Sequence, residues 1–242
     1  MSIDTLEQSS LERHDGSEQN TTPELGPSGE AIQRLEQSKL LTGEKMDILL
    51  VELGLKPANT HRFDSDIWFS GEEPQQINEK AFEDYLEVIR DAGLLIEVGP
   101  DLIVNPVEEI TRGTDGEVMM TDSDTDWEAL INEGQQRVER KVYIARTAED
   151  LERVKLANET NDARLYGQSY GFPNSAIDAY VSNTTVSPDL VDGMTPEVRA
   201  FAQYGFSESN APDEIATAQQ WHDAVLDASP VIYKEVIDYS LD

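Results

Sequence analysis

The sequence predicts an α+β fold: a small, mostly antiparallel sheet with several helices and a helical C-terminal third. Three observations predict it. Apolar residues recur at helical spacing around Ala31–Leu35, Met46–Leu53 and Ile77–Ile89, and again beyond Thr195. Short apolar, β-rich runs lie between them, LLIEV at Leu94–Val98 and KVYIA at Lys141–Ala145. Gly, Pro, Asn and Asp punctuate the joints.

Residues 1–29 are rich in Ser, Glu, Gln, Thr, Gly and Pro, and read as a mobile acidic tail. Residues 30–242 then read as a single α+β domain, with a candidate sub-boundary near residues 110–125. Ala31, Ile32, Leu35 and Leu40 mark a first helix. Met46, Leu49, Leu50 and Leu53 mark a second, which leaves through Gly54 and Pro57 in the segment LGLKPA, Leu53–Ala58. Lys56, ahead of Pro57, is expected to be extended. The second half of His61–Ser70 reads as a strand. Pro74–Ala92 is the clearest helix, with Ile77, Phe82, Tyr85, Leu86 and Ile89 on one stripe and Gly93 as its stop. Leu94–Val98 and Leu102–Val104 flank Gly99-Pro100-Asp101 and predict a hairpin, to which Gly116–Met120 could add a strand. Helix plus hairpin resembles part of a winged-helix module, but the region is acidic, which argues against DNA reading. A helix is expected over Trp127–Glu139 and a strand over Lys141–Ala145. Thr147 should cap the helix that follows, with Asp150 in the reciprocal position. Thr195-Pro196 and Ser229-Pro230 are each a cap followed by a first-turn proline. They predict helices over Glu197–Tyr204 and Val231–Leu241, with further helix in Pro212–Ala228.

Composition restricts the function classes. Asp and Glu number 49 against 18 Lys and Arg, a formal net charge of −31 in 242 residues. The acids are spread along the chain and Lys is scarce. Either the surface mimics a polyanion for some partner, or it is adapted to molar internal salt, where charges are screened beyond about 3 Å. The even spread favours salt adaptation and hence a halophilic archaeon. The chain has no cysteine, which removes disulfides, thiolate metal sites and a cysteine nucleophile. No stretch approaches the ~20 apolar residues of a membrane span. The N-terminus lacks the pattern of a secretory signal, so a cytoplasmic location is expected.

Asp122, Asp124, Asp126 and Glu133 match positions of a calcium loop, but Trp127 stands where that loop needs glycine. Helix capping by Thr125 and Glu128 explains the same residues more simply, and no metal site is expected. No cofactor is called for either, because the sequence holds no phosphate loop, dinucleotide fingerprint or serine elbow. Residues 137–164 carry seven of the eighteen bases against six acids: Arg137, Arg140, Lys141, Arg146, Arg153, Lys155 and Arg164. Intrachain pairing is the favoured account, and a face for an anionic ligand is the alternative.

Leu165–Tyr180, LYGQSYGFPNSAIDAY, concentrates the strongest backbone signals. Gly171 permits a sharp helix end and Pro173 suits the start of the next helix. Asn174 and Ser175 would lie near that helix N-terminus, where backbone N–H groups can hold an anion. KVYIA, a helix, this stretch and LGLKPA together resemble an archaeal family known only as a domain of unknown function. That family's signature is glycine, an aromatic residue, proline, any residue and two cysteines. Here GFPNSA has Ser175 and Ala176 at the cysteine positions, so the resemblance implies that thiol chemistry is absent and supplies no activity.

The sequence therefore predicts a non-catalytic binding or interaction protein. Its ligand site would comprise Lys56, Arg146, Tyr166, Gly171, Pro173, Asn174, Ser175 and Asp178, and its partner would be an anionic ligand or a protein. Two alternatives stand. One is an enzyme acting on an anionic small molecule or nucleotide, with Tyr166 or Ser175 in a polar role and Lys56 holding charge. The other is a structural component of a larger assembly.

Overall fold

A computed structural model describes residues 29–64, 77–104, 136–188, 191–208 and 211–241. Residues 1–28 of the predicted tail, the Gly116–Met120 strand, the 122–133 acidic loop and the 110–125 sub-boundary lie outside these residues.

The order is α1 (Gly29–Gln37), α2 (Thr42–Glu52), β1 (Ala58–Asp64), α3 (Glu79–Asp91), β2 (Leu95–Val104), β3 (Arg137–Ala145), α4 (Ala148–Thr160), α5 (Ala163–Ser169), α6 (Asn174–Val181), β4 (Thr185–Val186), α7 (Pro196–Arg199), β5 (Phe206–Ser207), α8 (Ala211–Ala228) and α9 (Pro230–Leu241). It is an α+β fold, with one antiparallel sheet in the order β1-β3-β2 and a small β4-β5 ribbon.

Several helix starts follow from local chemistry. Asn78 accepts the Ala81 N–H at 3.2 Å and opens α3. Thr147 accepts the Asp150 N–H at 3.1 Å and opens α4. Asp162 accepts the N–H groups of Arg164 and Leu165, each at 3.0 Å, and opens α5. Ser229 accepts the Ile232 N–H at 3.1 Å ahead of Pro230. The start of α2 is less obvious, since its cap, Leu41, has no acceptor in its side chain. Glu44 compensates from the first turn by accepting the Leu41 N–H at 3.0 Å.

Three expectations are corrected. Leu94–Val104 does not form a hairpin. β2 runs straight through Gly99-Pro100, and its register against β3 shifts between Val98 and Asp101. Among the described strands β2 is at an edge, where a proline, which has no N–H to give the ladder, is tolerated at an irregularity. β3 begins at Arg137 rather than Lys141, so the end of the predicted Trp127–Glu139 helix is strand. β1 occupies Ala58–Asp64, while the strand predicted in the second half of His61–Ser70 lies outside the described residues. Finally, α7 stops at Arg199 instead of reaching Tyr204. Beyond it Phe201 and Tyr204 are buried, and the Tyr204 hydroxyl donates to the Glu214 carbonyl at 2.6 Å. That contact draws the chain toward β5 and away from another helical turn.

β3 divides the interior because successive strand side chains face opposite ways. Val142 and Ile144 join the main core with α2, α3 and the C-terminal helices, where Leu49, Ile89, Phe201, Trp221 and Ile232 are buried. Tyr143 and Ala145 face the other way, into a smaller cluster with Ala58, Val154 of α4 and Tyr170. Phe172 packs against both clusters. No described helix is long and apolar enough to cross a membrane.

Candidate functional site

The turn Leu53–Ala58 leaves the buried helix α2 and enters β1, and two of the predicted site residues, Gly171 and Arg146, approach it. On one side is Gly171, with φ +72°. A Cβ added there would lie 2.9 Å from the Leu55 carbonyl oxygen, 3.1 Å from Pro57 Cδ and 3.4 Å from Lys56 Cα. The left-handed backbone and the close approach both call for glycine. On the other side Arg146 lies directly over Gly54, where a Cβ would collide with its guanidinium. Leu53–Ala58 and Leu165–Tyr180 are therefore in contact through backbone.

Each residue of the GFP triplet has a different task. Gly171 meets the turn. Phe172 packs its ring among Tyr170, Tyr204 and Trp221, with centroids 5.8, 5.4 and 6.4 Å away. Pro173 stands at the cap of α6, and its carbonyl accepts the Ile177 N–H at 3.0 Å. Asn174 is exposed and Ser175 half-buried in the first turn of α6. Asp178 pairs with Arg164 at 2.5 Å. Tyr166 meets Tyr170, hydroxyl to hydroxyl, at 2.8 Å.

Lys56 is placed where no anion from solvent reaches it. Its side chain is 1% exposed. Nζ donates to Asp47 Oδ1 at 2.6 Å and to the side-chain oxygen of Gln203. It also lies 5.0 Å from the centre of the Trp221 ring. Gln203 completes a ring of three by donating through Nε2 to the same Asp47 oxygen at 3.0 Å. Asp47 Oδ2 faces His61, 3.8 Å from Nε2, while His61 Nδ1 is 2.7 Å from the Tyr85 hydroxyl. The sequence placed Lys56 beside a ligand. It did not reveal Asp47, His61, Tyr85 or Gln203, which share no motif.

The electrostatics follow from burial. Burial alone would raise the Asp47 carboxyl, but Lys56, His61 and the hydrogen bonds from Lys56 and Gln203 outweigh it and hold the group below its ordinary value. Burial lowers His61 to about 4, with Asp47 opposing and Lys56 adding to the shift. Burial pushes Tyr85 well up, and the Glu44 and Asp47 carboxylates push the same way. Glu44 rises to about 7, chiefly through burial, although the Leu41 N–H opposes it.

Glu52, at the end of α2, is the other buried carboxyl here. Oε2 has no hydrogen-bond partner, and burial lifts the group to about 7 against the attraction of Arg146. Because the folded value lies above the unfolded one, its contribution to stability is fully present below about 4.5 and is lost as pH rises through about 7. Glu52→Gln is expected to raise stability by about 2 kcal/mol at pH 8 and to change little near pH 4.5. Chemical denaturation at the two pH values checks this, and equal effects at both would contradict it.

Six of the seven bases of the island, all but Arg146, are engaged within the chain. Arg137 pairs with Asp64 at 3.0 Å, and Arg140 with Glu79 at 3.1 Å and Asp101 at 2.5 Å. Arg153 meets Glu149 at 2.8 Å and Asp150 at 3.2 Å. Lys155 meets Glu97 at 2.8 Å and Glu152 at 3.2 Å. Lys141 donates to Asn158 at 3.3 Å. A groove of about 450 Å³ on the outer side of α4 is lined by several of these paired charges together with Leu156 and Leu165. Among the described residues, no group of three or more His, Asp or Glu side chains is arranged to hold a metal ion.

Compared with known protein families, curated proteins and solved structures, the chain matches none.

Proposed function

We propose that this chain is a non-catalytic interaction protein of a cell with molar internal salt. The observation that carries the reading is the state of Lys56. The amino group that would have held an anionic substrate is buried and already engaged by Asp47, Gln203 and Trp221. The Leu53–Ala58 and Leu165–Tyr180 segments then serve as a joint that fixes the architecture, and recognition falls to the outer surface. That surface is strongly acidic, yet it carries large exposed apolar side chains, Leu41 and Tyr239 foremost. The resemblance to the archaeal family of unknown function belongs to the same proposal, supported by the contact between the two segments that carry it.

Thermal unfolding in molar potassium chloride, with nucleotides and with RNA, tests the reading. No anion is expected to shift the transition. Photo-reactive residues placed at Leu41 and Tyr239 are expected to trap a defined protein in the native host, and one at exposed Glu87 is not. A saturable shift with a nucleotide, lost in Lys56→Met, would instead favour a charge-holding anion site at Lys56.

A further inference from the structure

We infer that Lys56 and Gln203 are the two halves of an intramolecular isopeptide bond, formed by the folded protein itself with Asp47 as proton carrier. This goes beyond the interaction reading and rests on the Asp47–Lys56–Gln203 ring alone.

An amide exchange of this kind needs a primary amine, a carboxamide against it, an acid–base group touching both, and a wall against water. All four are present. The Lys56 amine contacts the Gln203 side-chain carbonyl. A single oxygen of Asp47 lies 2.6 Å from the amine and 3.0 Å from the amide nitrogen that must leave. Lys56 and Trp221 are each 1% exposed, so the amine and the indole above it are shielded from hydrolytic water, while Asp47 and Gln203 are half-buried. The fold holds the groups together and removes the entropy cost of an encounter, a gain that reaches several orders of magnitude in well-placed intramolecular reactions.

The chemistry balances. A buried ammonium–carboxylate pair can pass one proton from nitrogen to oxygen, giving an amine and a carboxylic acid without change in net charge. The ion pair is the resting form, because Lys56, His61 and the hydrogen bonds outweigh burial at Asp47, and the uncharged pair is the minor, reactive form. Rotation of the Gln203 amide turns its face to Nζ. The Nζ lone pair attacks Cδ, the Nζ–Cδ bond forms, and the carbonyl electrons move onto Oε1. Asp47 gives its proton to Nε2 and takes one from Nζ. Collapse of the intermediate restores the carbonyl and breaks the Cδ–Nε2 bond. The leaving ammonia takes the remaining proton from Asp47 and departs as ammonium, so the aspartate ends as a carboxylate. No oxidant, metal or cofactor enters.

The bond would join positions separated by 147 residues. It would tie the exit of α2 to the segment between α7 and β5. In a chain without cysteine, this is a covalent brace of the kind that disulfides provide elsewhere.

Intact-mass spectrometry on the full chain, folded in molar potassium chloride and then denatured, tests the inference directly. The protein is expected to be lighter than its sequence by one ammonia, and a protease digest should contain a branched peptide joining Lys56 to Gln203. Lys56→Arg and Gln203→Met should show their full sequence masses. Gln203→Glu should lose water instead and finish at the same mass as the wild type. The wild-type measurement needs no variant to fold. A wild-type mass equal to the full sequence after prolonged incubation in the folded state overturns the inference, leaving an ion pair only. So does loss of water from the wild type, which would make Asp47 the acceptor, and so does an ammonia loss that survives in Lys56→Arg.

Discussion

Asp47→Ala is expected to lower the unfolding free energy by about 3–5 kcal/mol, because it leaves the Lys56 charge buried without a counter-ion. Asp47 receives Lys56 and Gln203 on one oxygen and faces His61 with the other. No other described carboxylate is paired with Lys56. The pair is not itself a large net source of stability, since taking both ions out of water offsets most of their attraction. The double change Asp47→Leu with Lys56→Met should therefore recover the part of the loss that comes from the stranded charge, but not the part that comes from the Lys56–Gln203 bond, which both variants lack. Denaturant titrations of wild type, single and double variants in the same salt check both statements. A loss of under about 1 kcal/mol in Asp47→Ala would mean that water reaches the ammonium.

Gly171→Ala is expected to cost about 2–4 kcal/mol, from a left-handed backbone and a collision acting together. A control within the same chain separates them. Gly93 has nearly the same φ, +73° against +72°, but nothing lies within 4 Å of a Cβ placed there. Gly93→Ala should therefore cost only the backbone part, about 1 kcal/mol. The excess at Gly171 then measures its approach to the Leu55 carbonyl and Pro57. Equal losses at the two positions would show that the approach relaxes without cost.

The reasons some features were legible in the sequence and others were not are physical. The stripe Phe82, Tyr85, Leu86 and Ile89 revealed α3 because all four enter one core. Thr147, Thr195 and Ser229 revealed helix starts because a cap is a local hydrogen bond. Gly99-Pro100 misled because the dipeptide that ends strands also marks a bulge on an edge strand. Asn59-Thr60-His61 did not read as strand, since these residues are polar and their fit depends on partners eighty positions away in β3. The Gly171–Pro173 corner was visible from backbone chemistry alone. The Asp47–Lys56–Gln203 ring was not, because its long links join positions 147 and 156 residues apart and a charged side chain carries no mark of being buried.

The position of α2 also bears on how the protein is made. Met46, Ile48, Leu49, Leu50 and Val51 are all buried, so this helix has almost no outer face. Its covers include β1 and β3, but also α8 and α9. Lys45 is held by Glu235, 190 residues downstream, and Glu36 near it receives a hydrogen bond from Ser229. A nascent chain must therefore carry this apolar helix only partly covered, by β1 and β3, until α8 and α9 have been made. Folding of this layer is completed after synthesis, and stalled or nicked chains that lack the last helix would present the α2 surface to chaperones and proteases.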